Sequence, residues 1–577
     1  MSGFGERFRR AGYCLPKPLI EIDGKPIVAH VIDMFFDKKP EEKKFIFVCN
    51  QDHLDNPSYN MKAIIQKYCP NAQIIGIKPH KLGPIHAVQK VSHLIDQNIP
   101  AIVNYCDFTC YWNWNHFKKF VTKTACLGAI PAYKGFHPHS LGNTNYAYLK
   151  EIDGWVQAIQ EKQPYTNNKM EEFASSGTYY FSSGKIMNEA FEVTIKNNLN
   201  LNGEYYVSLA YNHLLSLGGK NSVAVYPLQH FMQWGTPEDV VQYNEWSKAF
   251  LNLIHYSNSK LTNKPSLNLA DHITPTPKPS GSLIIPMAGL GQRFADKGYK
   301  ITKPLILVSG KPMVIRATQD LPASINHSFV LRKDMIGCDE ISKKLKKIYP
   351  KSIITIISSL NDGQACSASI GLKNLENAIT KNLNPVTFAA CDNGMLYDLS
   401  AFQKMVNDPK VDVIVWAARN HANAMLNPNM FGWISSDKNG KIDKISVKTP
   451  LSSSKTEPIV IGTFTFCDAK NFHKVFDNLI ARDGRINGEF YIDSCINDAI
   501  ELGLNCYLFE VDSFLSWGTP NDLKTFEYWQ SCFHKWSSHP YLLDLDKRIS
   551  DEALPSLKKL YRATKPKLPK LKCQNLK

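Results

Sequence analysis

Long apolar runs are missing from this chain. No stretch approaches the ~20 consecutive apolar residues that a membrane-spanning helix needs, so membrane insertion is not expected. The first ten residues include Glu6, Arg7, Arg9 and Arg10 and leave no place for the apolar segment of a secretory signal, which points to a cytoplasmic location. Paired CxxC spacings are missing as well. Fourteen cysteines are scattered over 577 residues, and Cys106 with Cys110 is the nearest approach to a ligand pair, with nothing to complete a set of four. That argues for reduced core thiols over a zinc site or a disulfide framework. Two phosphate-binding signatures are also absent: no GK[ST] loop, and no third glycine to complete a dinucleotide fingerprint.

Acidic charge is in short supply. There are 67 Lys and Arg against 52 Asp and Glu, a formal net charge of +15, which suggests an anionic partner: nucleic acid, anionic lipid or a phosphorylated small molecule. Much of the excess is local. Leu557 to Lys577 carries Lys558, Lys559, Arg562, Lys565, Lys567, Lys570, Lys572 and Lys577 with no acid. Pro566 and Pro569 argue against a helix there, so this tail reads as a solvated arm rather than a nucleic-acid clamp. No nucleic-acid partner is expected. The remaining composition, 44% hydrophobic and 21% charged, is that of a globular protein, and the length calls for two large domains or several small ones.

An internal repeat organises the chain. The opening MSGFGERFRRAGYCLPKPLIEIDGKPI is answered by LIIPMAGLGQRFADKGYKITKPLILVSGKPM at Leu283 to Met313. Gly3 and Gly289 lie 286 apart, as do Gly5 and Gly291, Arg7 and Arg293, and Lys17 and Lys303. Asp107 and Asp392, Gly177 and Gly462, and Glu204 and Glu489 are separated by 285, and the two WGTP motifs at Trp234 and Trp517 by 283. So small a drift indicates a tandem duplication. Between the halves, KLTNKPSLNLADHITPTPKPSGS reads as a linker. The expected domains are 1–259 and 283–550, with a linker at 260–282 and a basic tail at 551–577.

Within the first half, short apolar runs at Phe45–Cys49, Ile74–Ile77 and Ala101–Tyr105 alternate with helical patterns at Ile27–Phe36 and Ile85–Ile95. Strands separated by helices predict an α/β/α sandwich with a mainly parallel sheet and ligands at the carboxyl ends of the strands. The second half has a strand, Ser282–Pro286, before its glycine-rich turn; the first half lacks the about five residues that would form one of ordinary length. Either the sheet is completed some other way, or the start lies upstream. The second is the expectation, since losing a central strand would expose backbone groups and leave a cavity.

The residues suited to chemistry recur at matched places. Gly3-Phe4-Gly5-Glu6-Arg7 and Gly289-Leu290-Gly291-Gln292-Arg293 share the spacing G-x-G-x-R. The glycines let backbone N–H groups approach a phosphate, and the arginine adds a permanent forked charge. Ten residues on, Lys17-Pro18-Leu19 and Lys303-Pro304-Leu305 deliver an ammonium held by proline in an extended segment. Gly24-Lys25-Pro26 and Gly310-Lys311-Pro312 follow as strand-to-helix turns.

In both halves, and over most of the chain outside linker and tail, this succession resembles the opening signature of the sugar-nucleotide pyrophosphorylases. The resemblance implies two tandem Rossmann-like α/β/α sandwich domains of the nucleotide-diphospho-sugar transferase type. It also implies transfer of a nucleotidyl group from a nucleoside triphosphate to a sugar 1-phosphate, with release of pyrophosphate. Carried over by position, it makes Arg7, Lys17, Arg293 and Lys303 catalytic, and Asp107 and Asp392, each after a central apolar strand, ligands of Mg²⁺. Nucleotide contacts fall to Gly3, Gly5, Gly83, Gly289, Gly291, Gly363 and Gln364. Sugar-phosphate contacts fall to Tyr146, Glu161, Lys162, Gly177 and Glu204 in the first half and to Lys448, Gly462 and Glu489 in the second.

The halves depart from the pattern in places. Val447 stands where the first half has Glu161, so the phosphate-binding lysine is kept and the hydroxyl-reading carboxylate is not. Gln233-Trp234 and Ser516-Trp517 occupy the place of a second metal-binding Asp, and Asp239 and Asp522 just beyond read as helix caps. His137 and His139 in FHPHS are further candidates for touching a phosphate. Three readings stand open: both halves active, one half active with a regulatory or binding partner, and a glycosyltransferase on the same fold. Asp107-Phe108-Thr109 and Asp392-Asn393-Gly394 lack the second acid the last usually uses. The sugar, the base and homo-oligomer formation are not specified.

Overall fold

A computed structural model describes residues 1–35, 44–143, 145–258, 279–379, 381–452 and 457–570. The stretch read as a linker lies outside the described residues up to 278, as do 571–577 of the tail with Lys572 and Lys577. The fold is mixed α/β in two units. One comprises Met1–Asn244 with Arg562–Lys577, the other Glu245–Tyr561. No helix among the described residues is long and apolar enough to cross a membrane.

Strands at the centre of each unit are apolar on both faces. Gly128–Tyr133 and Val413–Ala418 are buried at all six positions, the pattern of a strand covered on both sides. Covering helices carry the complementary stripe. Trp114–Thr124 begins at Asn113, whose side chain accepts the His116 N–H at 2.9 Å, and buries Phe117, Phe120, Val121 and Thr124 at helical spacing. It stops where Ala125 turns left-handed at φ 47°.

The first unit corrects the expectation of a mainly parallel sheet. Its seven strands run Phe173–Ser175, Ala147–Ile152, Trp155–Glu161, Val223–Leu228, Gly128–Tyr133, Thr178–Phe181, Ala101–Asn104. Gly128–Tyr133 pairs in parallel with Val223–Leu228, and the other described pairings in this sheet are antiparallel. The cause is local. Asp153 and Gly154 both have positive φ, 54° and 89°, as a tight two-residue hairpin demands, so the chain folds straight back between Ala147–Ile152 and Trp155–Glu161. A separate parallel pair joins Ile46–Asn50 to Gln73–Ile77. Among the described residues no strand lies between that pair and Ala101–Asn104.

The second unit has a continuous mixed sheet: Ile353–Ile357, Asn326–Arg332, Ser282–Pro286, Val386–Ala389, Ile459–Phe466, Val413–Ala418, Cys506–Glu510. Here Ser282–Pro286 runs parallel to both Asn326–Arg332 and Val386–Ala389 and joins them. The next two pairings are antiparallel and the last parallel. Each unit also has a two-stranded ribbon at its sheet's carboxyl end, Phe108–Tyr111 with His230–Gln233 and Asn393–Leu396 with Ser513–Ser516. These ribbons seat the WGTP motifs directly after Gln233 and Ser516.

The tail is solvated as expected, but it is bound to the first unit and not a free arm. Leu554–Leu560 is helical with Leu557 buried, and residues 562–570 lie extended along the first unit. Gln229 donates to the Arg562 carbonyl at 3.0 Å and accepts the Thr564 N–H at 3.2 Å. Lys570 N–H donates to the Asp153 carbonyl at 3.0 Å, the Trp155 indole to the Lys570 carbonyl at 3.1 Å, and Lys570 Nζ pairs with Asp153 at 2.9 Å. The prolines do exclude a helix here. An extended backbone instead offers its polar groups to the hairpin, and the lysine charge stays in water.

Candidate active site

In both units the glycine-rich turn enters a short helix through a left-handed residue, Gly5 at φ 66° before Glu6–Arg10 and Gly291 at φ 65° before Gln292–Ala295. A Cβ on Gly3, Gly5 or Gly289 would meet nothing within 4 Å, so the turn is open on that side. Arg7 and Arg293 are exposed at the head of this turn.

Lys17 opens the 3-10 turn Lys17–Leu19, set by the extended Pro16 at ψ 142°. Its Nζ donates to Asp107 Oδ2 at 2.9 Å. Lys303 makes the same contact with Asp392. Burial alone would lower the pKa of each ammonium; the carboxylate, with the adjacent Cys106 or Cys391, outweighs it and holds Lys17 and Lys303 above an ordinary lysine. Both stay charged, and both feel the arginine of the turn, Arg7 or Arg293.

The WGTP motif brings a second acid. Trp234 N–H donates to the Asp107 carbonyl at 2.7 Å and Trp517 N–H to that of Asp392 at 2.9 Å. A Cβ on Gly235 would stand 3.5 Å from Asp107 Oδ2 and 3.7 Å from Asp239 Oδ2; on Gly518 it would stand 3.2 Å from Asp392 Oδ2 and 3.8 Å from Asp522 Oδ2. Asp239 and Asp522 do cap their helices through Thr236 and Thr519. They also face the first carboxylate across a glycine. Burial first, and that neighbour in addition, raise the pKa of both.

A second group of side chains recurs on the other side. Lys162 is left-handed at φ 58°, donates its N–H to the Tyr146 carbonyl at 2.9 Å, and puts Nζ 2.6 Å from the Tyr206 hydroxyl and 4.5 Å from that ring's centroid. Lys448, also at φ 58°, repeats this with Phe431, Tyr491 at 2.7 Å and a centroid distance of 4.4 Å. The Tyr206 hydroxyl donates to Glu204, and Glu161 accepts the Ser208 hydroxyl at 2.5 Å. Burial pushes Tyr206 up, Glu204 and Glu161 add to it, and Arg7 opposes them. Arg7 thus acts on both Lys17 and Tyr206, and Arg293 on both Lys303 and Tyr491. Each unit so pairs one lysine with the aspartate and the other with the tyrosine two residues after the glutamate.

The loops Leu82-Gly83-Pro84 and Asp362-Gly363-Gln364 each lie on another backbone. Tyr205 N–H donates to Leu82 O at 3.0 Å and Ile85 N–H to Tyr205 O at 3.2 Å; Phe490 N–H donates to Asp362 O at 2.8 Å and Ala365 N–H to Phe490 O at 3.0 Å. Gly363 has φ 128°, and a Cβ there would come within 2.7 Å of the Phe490 N and O. Gly363→Ala is expected to cost about 1–3 kcal/mol in urea denaturation, because both the clash and the conformation count against it.

Gly177 and Gly462 are left-handed bends whose carbonyls accept the Tyr105 and Ala390 N–H groups at 3.1 Å. The Tyr146 ring sits among aromatics, 5.7 Å from Tyr133 and Phe231 and 5.4 Å from His139. The same cluster bears on the histidines: His137 is buried and pushed down to about 4 by desolvation, and burial, with His137 and Lys169 in addition, lowers His139 well below the usual range. Held neutral, they bring no charge to an anion. Tyr206, Tyr491, Ser208 and Asp493 escaped the sequence reading. The signal for the two tyrosines is the pattern G-E-aromatic-Tyr in both halves; Ser208 and Asp493 lie two residues beyond it.

Residues 1–244 match the family model described as nucleotidyl transferase. That match covers less than half of the chain and lies within the first unit. The nucleotidyl transferase unit thereby has its enzyme class, a nucleotidyltransferase. Among solved structures, a nucleoside-diphosphate-sugar pyrophosphorylase from Vibrio cholerae is similar at 18% identity and TM-score 0.36, covering 42% of this chain and 98% of that one. An inositol-1-phosphate CTP transferase from T. maritima is similar at 15% identity and TM-score 0.35, covering 44% of this chain and 96% of that one.

Magnesium fits the donors of the nucleotidyl transferase unit in a limited way. Asp107 and Asp239 offer two hard oxygens across Gly235. No group of three or more His, Cys, Asp or Glu among the described residues could hold a metal unaided. Two carboxylates plus substrate phosphate is a set Mg²⁺ commonly uses.

Proposed function

We propose that the two units are copies of one nucleotidyltransferase, each joining a nucleoside triphosphate to a sugar 1-phosphate. The carrying observation is the pair of matched charge sets, Lys17 on Asp107 with Lys162 on Tyr206 in the first unit and Lys303 on Asp392 with Lys448 on Tyr491 in the second. Two polyanions repel each other, and fixed cations between them lower that barrier.

A phosphate oxygen of the sugar 1-phosphate attacks the α-phosphorus in line. A P–O bond forms there as the bond to the β-phosphate oxygen breaks, and pyrophosphate leaves with the electron pair. The attacking oxygen is already ionised, so no side chain need remove a proton. Arg7 and Lys17 receive the triphosphate, Lys162 the sugar phosphate, and Glu161 and Glu204 accept sugar hydroxyls. Mg²⁺, held by Asp107 and Asp239 in the first unit or by Asp392 and Asp522 in the second, would neutralise phosphate charge. Gly83 and Gly363 with Gln364 present main-chain groups to the base.

Thermal shift with each nucleoside triphosphate and Mg²⁺ tests this. A ligand at about 100 times its dissociation constant should stabilise the protein by about 2.7 kcal/mol and raise the melting temperature. Sugar 1-phosphate added to the nucleotide that binds should release pyrophosphate. Absence of both responses across all nucleotides would overturn the proposal.

A further inference from the structure

Three positions on the acceptor side differ as a set between the units. In the first, Ala147 and Glu161 are register partners on adjacent strands, and Ser208, in the first turn of the helix Val207–Gly218, donates to Glu161 at 2.5 Å. In the second, the corresponding register partners are Gly432 and Val447, and the corresponding helix residue, in Ile492–Glu501, is Asp493. Ser208 and Asp493 are 285 apart, as are Ala147 and Gly432. The carboxylate that the strand gives up at Val447 thus returns on the facing helix.

The three changes depend on one another sterically. A Cβ on Gly432 would stand 2.7 Å from Asp493 Oδ2, so the alanine of the first unit could not coexist with this aspartate unless one moved. Val447 removes a second carboxylate from the same place, which would otherwise repel Asp493. Burial pushes the Asp493 carboxyl up to about 6, with its own backbone N–H and Lys448 pulling it back. Lys448 and Tyr491 therefore have an acidic neighbour, as Lys162 and Tyr206 have, but it arrives from the helix on a shorter side chain.

We propose that Asp493 is the residue of the second unit that accepts hydrogen bonds from the acceptor's hydroxyl groups, and that the two units therefore select phosphorylated sugars differing in hydroxyl position. This rests on the reading that both units bind a sugar phosphate. A carboxylate moved from strand to helix meets the sugar ring at another edge, while Val447 leaves an apolar wall where Glu161 would have bonded. Selectivity follows because a hydroxyl without its acceptor, or facing an apolar wall, loses its hydrogen bond on binding.

The test uses the full-length chain carrying Lys17→Ala, so that pyrophosphate release reports the second unit, with a panel of hexose 1-phosphates. Asp493→Asn, nearly the same shape, should raise the KM for the preferred sugar phosphate by about 10–100-fold, the loss of a charged hydrogen bond, while the KM for nucleotide stays unchanged. The combination Gly432→Ala, Val447→Glu and Asp493→Ser should shift acceptor preference toward that of a Lys303→Ala chain, whose first unit alone is active. An unchanged sugar KM in Asp493→Asn, or equal movement of both KM values, overturns the assignment and leaves Asp493 an acid in the first turn of its helix. No pyrophosphate release from the Lys17→Ala chain with any sugar phosphate defeats the transferase reading of the second unit itself, and this inference with it.

Discussion

In a chain whose second unit is silenced by Lys303→Ala, Lys17→Ala should lower kcat by about 10²–10³, the usual loss when one preorganised charge is removed from a transition state. Two effects combine. The phosphate loses a cation that the fold holds protonated against its burial, and Asp107 loses the partner 2.9 Å away. A cycle with Asp107→Asn separates them. If the lysine acts on substrate, the single variants should be far from additive, since the pair works as one unit. A Lys17→Ala enzyme of unchanged turnover in the Lys303→Ala background would remove this lysine from the mechanism, and far-UV circular dichroism should show both variants folded.

Trp517→Ala should destabilise the second unit by about 3–5 kcal/mol, as emptying a buried tryptophan site does. Trp517 is fully buried and lies edge-on to Phe526, with ring centroids 5.7 Å apart. A Cβ on Gly394, across the ribbon, would come within 2.7 Å of the ring, which shows how little space surrounds it. Its backbone N–H donates to the Asp392 carbonyl, and an alanine keeps that donor but not the packing that seats it, so nucleotide-dependent stabilisation should fall together with the urea midpoint. Trp234, fully buried with His30 at 5.1 Å and Tyr243 at 5.3 Å, should behave alike in the first unit. A cost below about 1 kcal/mol would mean the cavity refills, since large core truncations rarely cost so little.

The short strands are legible as unbroken apolar runs even where they are only half-buried; Phe45–Cys49 is one residue off Ile46–Asn50, of which only Cys49 and Asn50 are buried. The sequence concealed the antiparallel hairpin, although Asp153-Gly154 carried the turn chemistry, because an alternating strand–helix rhythm dominated the reading. Charged groups that meet across long separations, such as Lys17 with Asp107, were legible only through recurrence at matched spacing. Asp239 reads as a cap in the sequence because a cap is written locally; its approach to Asp107 is made by the ribbon pairing of Phe108–Tyr111 with His230–Gln233, which no local pattern announces. The serine-for-aspartate exchange at 208 and 493 stayed hidden for the same reason.

Residues 562–570, at the far end of the polypeptide, complete the surface of the unit that begins at Met1. A fragment expressed as the front half and terminated between the units would leave the Trp155 indole and Gln229 amide facing solvent. Dissecting the protein by scissors therefore risks confusing a damaged half with an idle one. Point inactivation inside the intact chain, or a front half refolded with a synthetic 562–570 peptide, avoids that confusion.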